Sequence, residues 1–205
     1  SRDGPRTALR RLVTLKHRYD NVLLYVDEAH AFGVFGPTGL GCAEEEGCTT
    51  NIDFLVGTFG KACASAGAYV ACSRTVRNYL VNRMRPFIFT TALPPVSVAW
   101  TLFVVRRLAA MDDRRHHVQQ LGERLRTRLA EQGYSTPSVS QIVPMIVGPS
   151  ADTVLRAEAL QRHGFYALPV RPPTVPEDTS RIRFSLTAAL TEDEINAIPL
   201  TEEND

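Results

Sequence analysis

Two short motifs carry the most reactive side chains of this sequence. DEAH occupies Asp27–His30 directly after an apolar run at residues 22–26, and TFGK occupies Thr58–Lys61 after a second run at 52–56. A carboxylate at the end of a buried strand is costly unless a cationic group meets it, and a lysine in a small turn can serve as an amine nucleophile. Ligands bind beyond the carboxyl ends of the strands in parallel α/β sheets. We therefore predict a functional site at these strand ends.

The elements that must position the motifs alternate between strands and helices. A glycine-punctuated loop at residues 33–41 separates the two motifs. Continuous apolar runs are typical of strands buried on both faces of a parallel sheet, and apolar residues at helical spacing indicate helices. These patterns predict helices at 5–20 and 76–84 and strands at 22–26, 52–56, 68–71 and 87–89. We expect Trp100 and the pair Phe87 and Phe89 to lie in the core.

One long helix is predicted from residue 94 to about 132, where Gly133 provides a stop. Shorter elements follow it, with strands at 142–147, 165–170 and 182–186 and a helix at 152–163. This order predicts an α/β fold. We place a domain boundary within the long helix, which gives a partial large domain at residues 1–110 and a smaller C-terminal domain at 111–205.

The composition argues against several classes of function. Among 205 residues, 23 Lys and Arg oppose 22 Asp and Glu, so the net charge of +1 offers no excess for nucleic acid or an acidic membrane. The longest nearly apolar stretch is about half the length that crosses a bilayer. The four cysteines form no C-x-x-C pair, which argues against zinc and a disulfide scaffold. We predict no metal site and a cytoplasmic protein with reduced thiols.

The DEAH motif also matches the signature of a class of helicases. In those enzymes a Walker A loop must precede the acidic motif. The 26 residues before Asp27 contain no such loop, and the G-K pair at Gly60 and Lys61 follows the motif and lacks a hydroxyl residue after the lysine. A DEAH-type ATPase and a non-catalytic, dimerising fragment remain the alternatives from other classes.

Four separated blocks resemble the α-oxoamine synthase family of pyridoxal phosphate (PLP)-dependent fold-type I enzymes. They are VDEAHAFGV with GPTGLG at 26–41, GTFGKA at 57–62, FTTALPP at 89–95, and RPPTVP at 171–176 followed by RIR at 181–183. The resemblance implies a PLP-binding large domain with a mixed, mostly parallel sheet, here partial, and a smaller C-terminal α/β domain. It also implies that the N-terminal part of the protein is absent from this sequence.

The resemblance assigns a role to each site residue. Lys61 would bind PLP through its amine and move protons at the substrate Cα, Asp27 would pair with the pyridine nitrogen, and His30 would hydrogen-bond the phenolic oxygen. Further implied contacts are made by Thr58 with the phosphate, Ser1 near the phenolic oxygen, Thr90 and Thr91 with the cofactor phosphate of the neighbouring subunit in a homodimer, and Arg181 with the substrate carboxylate. Arg183 lies two residues beyond Arg181 on the same predicted strand, and we expect only one of the two to reach substrate.

The implied reaction is a decarboxylating condensation of an amino acid with an acyl thioester. L-Alanine with pimeloyl-CoA or pimeloyl-ACP is the substrate pair of the member that the sequence most resembles. The substrates of glycine C-acetyltransferase, 5-aminolevulinate synthase and serine palmitoyltransferase are the alternatives within the family. The family's phosphate-binding turn and ring-stacking side chain would precede residue 1, so we expect little activity from residues 1–205 alone.

Overall fold

The structure is a computed structural model that describes residues 3–201. The described chain forms two compact units, one from Ala8 to Arg115 and one made of residues 116–201 together with 3–7. Residues 3–7 belong to the second unit because Gly4 packs against Ser138 and its carbonyl oxygen accepts from Val139 N at 3.3 Å. The identification of these units as a large and a small domain stays a prediction.

The first unit is built on a mixed three-stranded sheet in the order β1-β2-β3. Strands β1 and β2 run parallel, with Asp27 opposite Val56, so their carboxyl ends lie at the same edge, and β3 is antiparallel to β2. The elements are α1 (Leu9–Lys16), β1 (Tyr25–Asp27), α2 (Cys42–Glu45), β2 (Phe54–Thr58), β3 (Ala68–Cys72), α3 (Arg74–Arg83), α4 (Arg85–Ile88) and α5 (Pro95–Arg107).

Two apolar clusters hold this unit together. Leu9 of α1 packs with Ile52 and Leu55 in one cluster, and Phe32 packs with Val104 and Leu108 in the other. Helix α5 contributes a single fully buried residue, Val104. Most of its apolar side chains are therefore exposed within the described residues.

Several predictions for the first unit are wrong. Strand β1 is short, and within the described chain only one of its faces is covered: Val26 packs against the core, whereas Tyr25 on the strand and Leu23 before it are about two-thirds exposed. Residues 87–89 form no strand; they lie at the end of helix α4, where Pro86 suits the first helical turn. Phe87, Phe89 and Trp100 are exposed within the described chain rather than part of its core.

The predicted long helix is two helices. A 3-10 turn at Leu108–Ala110 separates α5 from α6 (Asp112–Glu131), and the division between the two units falls within α6. No helix within residues 3–201 combines the length and apolarity that a membrane crossing requires.

The second unit contains an antiparallel three-stranded sheet in the order β4-β6-β5. Its elements after α6 are β4 (Ile142–Gly148), α7 (Ser150–Arg162), β5 (Pro169–Val170), β6 (Ser180–Ser185) and α8 (Glu192–Asn196). Leu121, Leu125 and Leu129 of α6 are fully buried, as are Met145 and Ile182 of the sheet. The predicted strand at 165–170 is reduced to two residues, since only Pro169 and Val170 pair with β6.

Candidate active site

The carboxyl ends of β1 and β2 place two of the predicted site residues side by side along the sheet edge. Asp27 is exposed at the end of β1, and its Oδ1 accepts a hydrogen bond from Ala29 N at 2.7 Å. Glu28 N continues the ladder by donating to Val56 O at 2.7 Å. Thr58 ends β2 two residues beyond Val56, so the carboxylate of Asp27 and the hydroxyl of Thr58 belong to the same edge.

Lys61 lies on a tight turn between β2 and β3 with its side chain exposed. The Thr58 hydroxyl organises this turn, since it accepts from Gly60 N at 3.2 Å and donates to Gly67 O at 3.1 Å. The carbonyl oxygen of Lys61 accepts from Ala64 N at 3.0 Å. The backbone that carries the Lys61 amine is therefore hydrogen-bonded both before and after Lys61.

Helix α5 contacts the Lys61 turn through side-chain hydrogen bonds. Trp100 Nε1 donates to Cys63 O at 3.0 Å, and the hydroxyls of Ser65 and Thr101 lie 2.7 Å apart. Burial raises the pKa of the Cys63 thiol. Cys63 thus packs as a small neutral core side chain.

The glycine loop brings the DEAH motif close to the Lys61 turn. His30 is half-buried at the start of this loop. Gly33 has a φ of +82°, and a Cβ there would lie 2.5 Å from the Cβ of Ala62, the residue after Lys61. Only a glycine permits this approach without moving one of the two segments. The structure thus joins the two motifs through backbone contact.

Glu28 is the residue of this site whose surroundings the sequence did not reveal. Its side chain is 2% exposed, and its oxygens accept from Cys42 N at 3.1 Å and Ala43 N at 2.7 Å, the first amides of helix α2. The Glu28 carboxylate thus caps the N-terminus of helix α2. The capped helix begins 14 residues further along the chain, so no local pattern could identify it.

Tyr69 is a second residue that sequence reasoning missed. Its ring lies across Gly57, where a Cβ would come within 2.6 Å of three ring and hydroxyl atoms. It packs edge-on against Phe32 at a centroid distance of 5.2 Å. Burial, followed by the nearby carboxylates of Glu28 and Asp27, raises the pKa of Tyr69 to about 12. The phenol therefore stays neutral beside the strand ends.

Thr90 and Thr91 are exposed on the segment between α4 and α5. Leu93, two residues beyond Thr91, packs on Gly67 at the end of the Lys61 turn, where a Cβ would lie 2.7 Å from Leu93 Cδ1. The segment that carries the two threonines is therefore packed against the same turn at its C-terminal end. Their assignment to a neighbouring subunit's cofactor stays a prediction.

Arg181 lies in the other unit, on β6, and is 7% exposed. Its guanidinium donates to Asp3 Oδ2 and to Thr179 O, both at 3.0 Å, and to Thr179 Oγ1 at 3.1 Å. Arg183 follows on the same strand and is half-buried. Ser1 lies outside the described residues, and within residues 3–201 no group of three His, Cys, Asp or Glu side chains is arranged to hold a metal ion.

Comparison with known proteins identifies the family. The family described as Aminotransferase class I and II matches residues 2–198. A curated relative from Glaesserella parasuis serovar 5, named "Putative 8-amino-7-oxononanoate synthase", is 54% identical over 196 residues, which cover 95% of this chain and 52% of that protein. A relative of the same name from Pasteurella multocida is 56% identical over 189 residues, with coverage of 92% and 49%. The chain spans about half the length of the curated relatives it matches.

Solved structures agree with this relationship. A high-resolution structure of SPT with a PLP internal aldimine has a TM-score of 0.90 and 30% identity, covering 97% of this chain and 50% of that one. The 8-amino-7-oxononanoate synthase of Francisella tularensis has a TM-score of 0.79 and 27% identity, with coverage of 91% and 55%. These matches confirm the resemblance and set the DEAH-type ATPase aside: the chain belongs to the aminotransferase class I and II family, and within it to the α-oxoamine synthases.

Proposed function

We propose that the protein to which this chain belongs is a PLP-dependent 8-amino-7-oxononanoate synthase. It condenses L-alanine with a pimeloyl thioester, carried by CoA or by acyl carrier protein, and releases CO2. The product, 8-amino-7-oxononanoate, is a precursor in biotin biosynthesis. The observation that carries this proposal is the 54% identity to a curated relative of that name across 95% of the chain.

The residues at the strand ends fit PLP by their chemistry. The cofactor presents a pyridine nitrogen, an aldehyde and a phosphate, and the chain offers the carboxylate of Asp27, the amine of Lys61 and the hydroxyl of Thr58. The Thr58 hydroxyl donates a hydrogen bond to Gly67 O in this structure. A bound phosphate would accept this hydrogen bond in place of the carbonyl oxygen.

The proposed mechanism divides the work between these side chains. Bound PLP supplies the ring that stabilises negative charge at the substrate Cα. Lys61 would hold the cofactor through its amine and would move the proton at the substrate Cα. Asp27, oriented by Ala29 N, would pair with the pyridine nitrogen. His30 would hydrogen-bond the phenolic oxygen and polarise the incoming acyl group.

An arginine on β6 is proposed to bind the amino-acid carboxylate, because a planar guanidinium matches that group with two hydrogen bonds. Arg181 is the predicted residue, but a carboxylate at its guanidinium would have to compete with Asp3. Arg183 is two residues further along β6, and residues two apart in a strand project from the same face, so Arg183 lies on the same face as Arg181. We therefore propose Arg183 as the alternative residue that binds the substrate carboxylate. The kinetics of Arg181→Ala and Arg183→Ala distinguish the two arginines.

A borohydride experiment tests the proposed cofactor chemistry. The full-length protein is incubated with PLP, reduced with borohydride and digested, and the modified peptide is identified by mass. We expect a phosphopyridoxyl adduct on Lys61, and Lys61→Ala should lose both the adduct and turnover. A folded full-length protein without an adduct at Lys61 would contradict the proposal and return the non-catalytic alternative.

The substrate pair is tested with the same holoenzyme. L-Alanine, glycine and L-serine are each offered with pimeloyl-CoA, pimeloyl-ACP, acetyl-CoA, succinyl-CoA or palmitoyl-CoA, and CoA or carrier release and CO2 are measured. We expect the highest kcat/KM for L-alanine with a pimeloyl thioester. A preference for another pair would assign the protein to a different member of the family.

We further propose a cytoplasmic homodimer in which Thr90 and Thr91 serve the partner's cofactor. The four free thiols support a reducing compartment. Co-expression of Lys61→Ala with the double variant Thr90→Ala and Thr91→Ala tests the exchange of residues. A hybrid dimer then holds one intact site if the threonines act across the interface, so activity returns. Threonines that act within their own subunit leave the hybrid inactive.

A further inference from the structure

The buried carboxylate of Glu28 lies between two proposed cofactor ligands, Asp27 and His30. Burial of a carboxylate is costly unless hydrogen bonds compensate for its lost hydration. Glu28 meets this condition through the amides of Cys42 and Ala43, at 3.1 and 2.7 Å. Asp27 is exposed while Glu28 is buried, as expected for consecutive residues at the end of a strand. Of the two neighbouring carboxylates, Asp27 is therefore available to a ligand, whereas Glu28 is bound to the protein backbone.

The backbone of Glu28 is fixed as firmly as its side chain. Its N–H donates to Val56 O on β2 at 2.7 Å, and its carbonyl oxygen accepts from Ala31 N and Phe32 N, both at 2.8 Å. Asp27 and His30 lie on either side of this anchored residue. A shift of Glu28 must therefore move at least one of them.

The glycine loop connects this anchor to the Lys61 turn. Gly41 has a φ of +112° and approaches the carboxyl group of Glu28 so closely that a Cβ would lie 2.8 Å from it. At the other end of the loop, Gly33 touches Ala62. Hydrogen bonds from Gly33 N to Gly39 O at 2.7 Å and from Gly41 N to Phe35 O at 2.9 Å close the loop on itself. A stiff loop thus spans from Glu28 to the residue after Lys61.

We propose that Glu28 is a positioning residue that sets the spacing between the Asp27–His30 segment and Lys61 by fastening the glycine loop to the end of β1. This inference rests on the proposed function for its catalytic consequence. Its structural consequence, coupling between the loop and the Lys61 turn, does not depend on which reaction the protein catalyses.

The first test compares Glu28→Gln with Glu45→Gln in the PLP-loaded full-length protein. Glu45 is an exposed carboxylate on the same helix α2, so its variant removes the same charge and leaves both hydrogen bonds in place. We expect E28Q to lower kcat by about 10- to 100-fold, because small misplacements of catalytic groups are costly. KM for the amino acid should stay within about twofold, and the pH titration of the bound cofactor's absorbance should shift. A folded E28Q that matches E45Q in kcat and titration overturns the proposal.

Backbone amide exchange provides a measurement that needs no activity. We expect E28Q to raise exchange in residues 33–43 and also in 59–66, whereas E45Q changes neither segment. A role confined to capping α2 would raise exchange only near Cys42 and Ala43, and this result overturns the proposal. If Lys61 carries no PLP adduct in the wild-type protein, the proposed function fails while the exchange experiment still decides the coupling.

A variant at the other end of the loop keeps the inference testable if E28Q does not fold. In Gly33→Ala the new methyl group meets Ala62 while Glu28 is intact, so kcat should fall. The double variant Gly33→Ala, Ala62→Gly removes the facing methyl group and should recover part of the lost kcat. An unchanged kcat in G33A overturns the proposal.

Discussion

Gly57 illustrates at the scale of one residue how a missing side chain shapes the candidate site. Its φ is not in the left-handed region, so its importance comes from the space it leaves for Tyr69. We expect Gly57→Ala to lower the free energy of unfolding by about 1–3 kcal/mol, since an added methyl group would overpack against a held ring. Chemical denaturation of the full-length protein measures this change.

Gly60 provides the matched control for Gly57. It precedes Lys61, and a Cβ there would meet Ser65 O and Thr58 Oγ1 at 3.6 Å, an ordinary contact distance. Gly60→Ala should therefore leave the free energy of unfolding within about 0.5 kcal/mol of the wild-type value. Equal losses in the two variants would show that the ring of Tyr69 moves away without cost.

The two arginines of β6 should separate stability from substrate binding. Arg181→Ala removes three hydrogen bonds, one of which is the ion pair with Asp3, so we expect a loss of about 1–3 kcal/mol in the free energy of unfolding. Arg183→Ala should raise KM for the amino acid by about tenfold or more, because a charged hydrogen-bonded partner of the substrate is lost. Steady-state kinetics of both folded variants decides which arginine binds the substrate carboxylate. A larger rise of KM in R181A would restore Arg181 as the clamp.

At the scale of an element, the glycine loop depends on a second carboxylate, Glu44 of α2. Its side chain accepts from Thr38 N at 3.1 Å and Leu40 N at 3.0 Å, and from the Thr38 hydroxyl. Although burial raises the pKa of Glu44, these hydrogen bonds, the Thr38 hydroxyl first, outweigh it and hold the pKa below the usual 4.5. The stabilisation is therefore complete above pH 4.5 and is lost as the pH falls through the lowered pKa.

The lowered pKa of Glu44 predicts how the stability of the protein depends on pH. We expect the free energy of unfolding to fall on acidification below pH 4.5, and Glu44→Gln to reduce that dependence while lowering stability at neutral pH. Denaturation of the full-length protein as a function of pH measures both effects. Glu45→Gln, the adjacent position on α2, is the control. The same slope in E44Q as in the wild-type protein would contradict the role of Glu44.

Element boundaries show where local patterns mislead. The apolar run at 87–89 predicts a strand, yet α4 begins at Arg85 with Pro86 in its first turn. Three residues of β-forming type are too few to outweigh a favourable helix start. In contrast, the predicted strands at 52–56, 68–71 and 142–147 each form with shifts of only one or two residues, because they have neighbours on which to pair.

At the scale of the whole molecule, the first unit exposes many large apolar side chains. Tyr79, Phe89 and Val96 are 66%, 77% and 75% exposed within the described chain. A large apolar surface left in water favours association. We expect isolated residues 1–205 to bind an apolar fluorescent dye and to self-associate in sedimentation experiments.

Substitutions test whether this surface is responsible. Changing Tyr79, Phe89 and Val96 to Ser should reduce dye binding strongly, whereas Ser at Leu155 and Tyr166, exposed in the other unit, should not. Equal effects of the two sets would contradict the assignment. The same preparation should show little turnover, and a rate comparable to that of the full-length protein would refute that expectation.

The sequence by itself determined the α/β class and the strand-end positions of the DEAH and TFGK motifs, because these depend on residue types at short spacing, which local propensity and turn chemistry express. It also indicated the family, through the resemblance of four motif blocks. Tertiary structure alone decided that Glu28 caps a helix 14 residues away, that Arg181 pairs with Asp3 across 178 positions, and that Phe89 is exposed. The physical reason is that a side chain's partner and burial depend on long-range packing, which no short window of sequence contains.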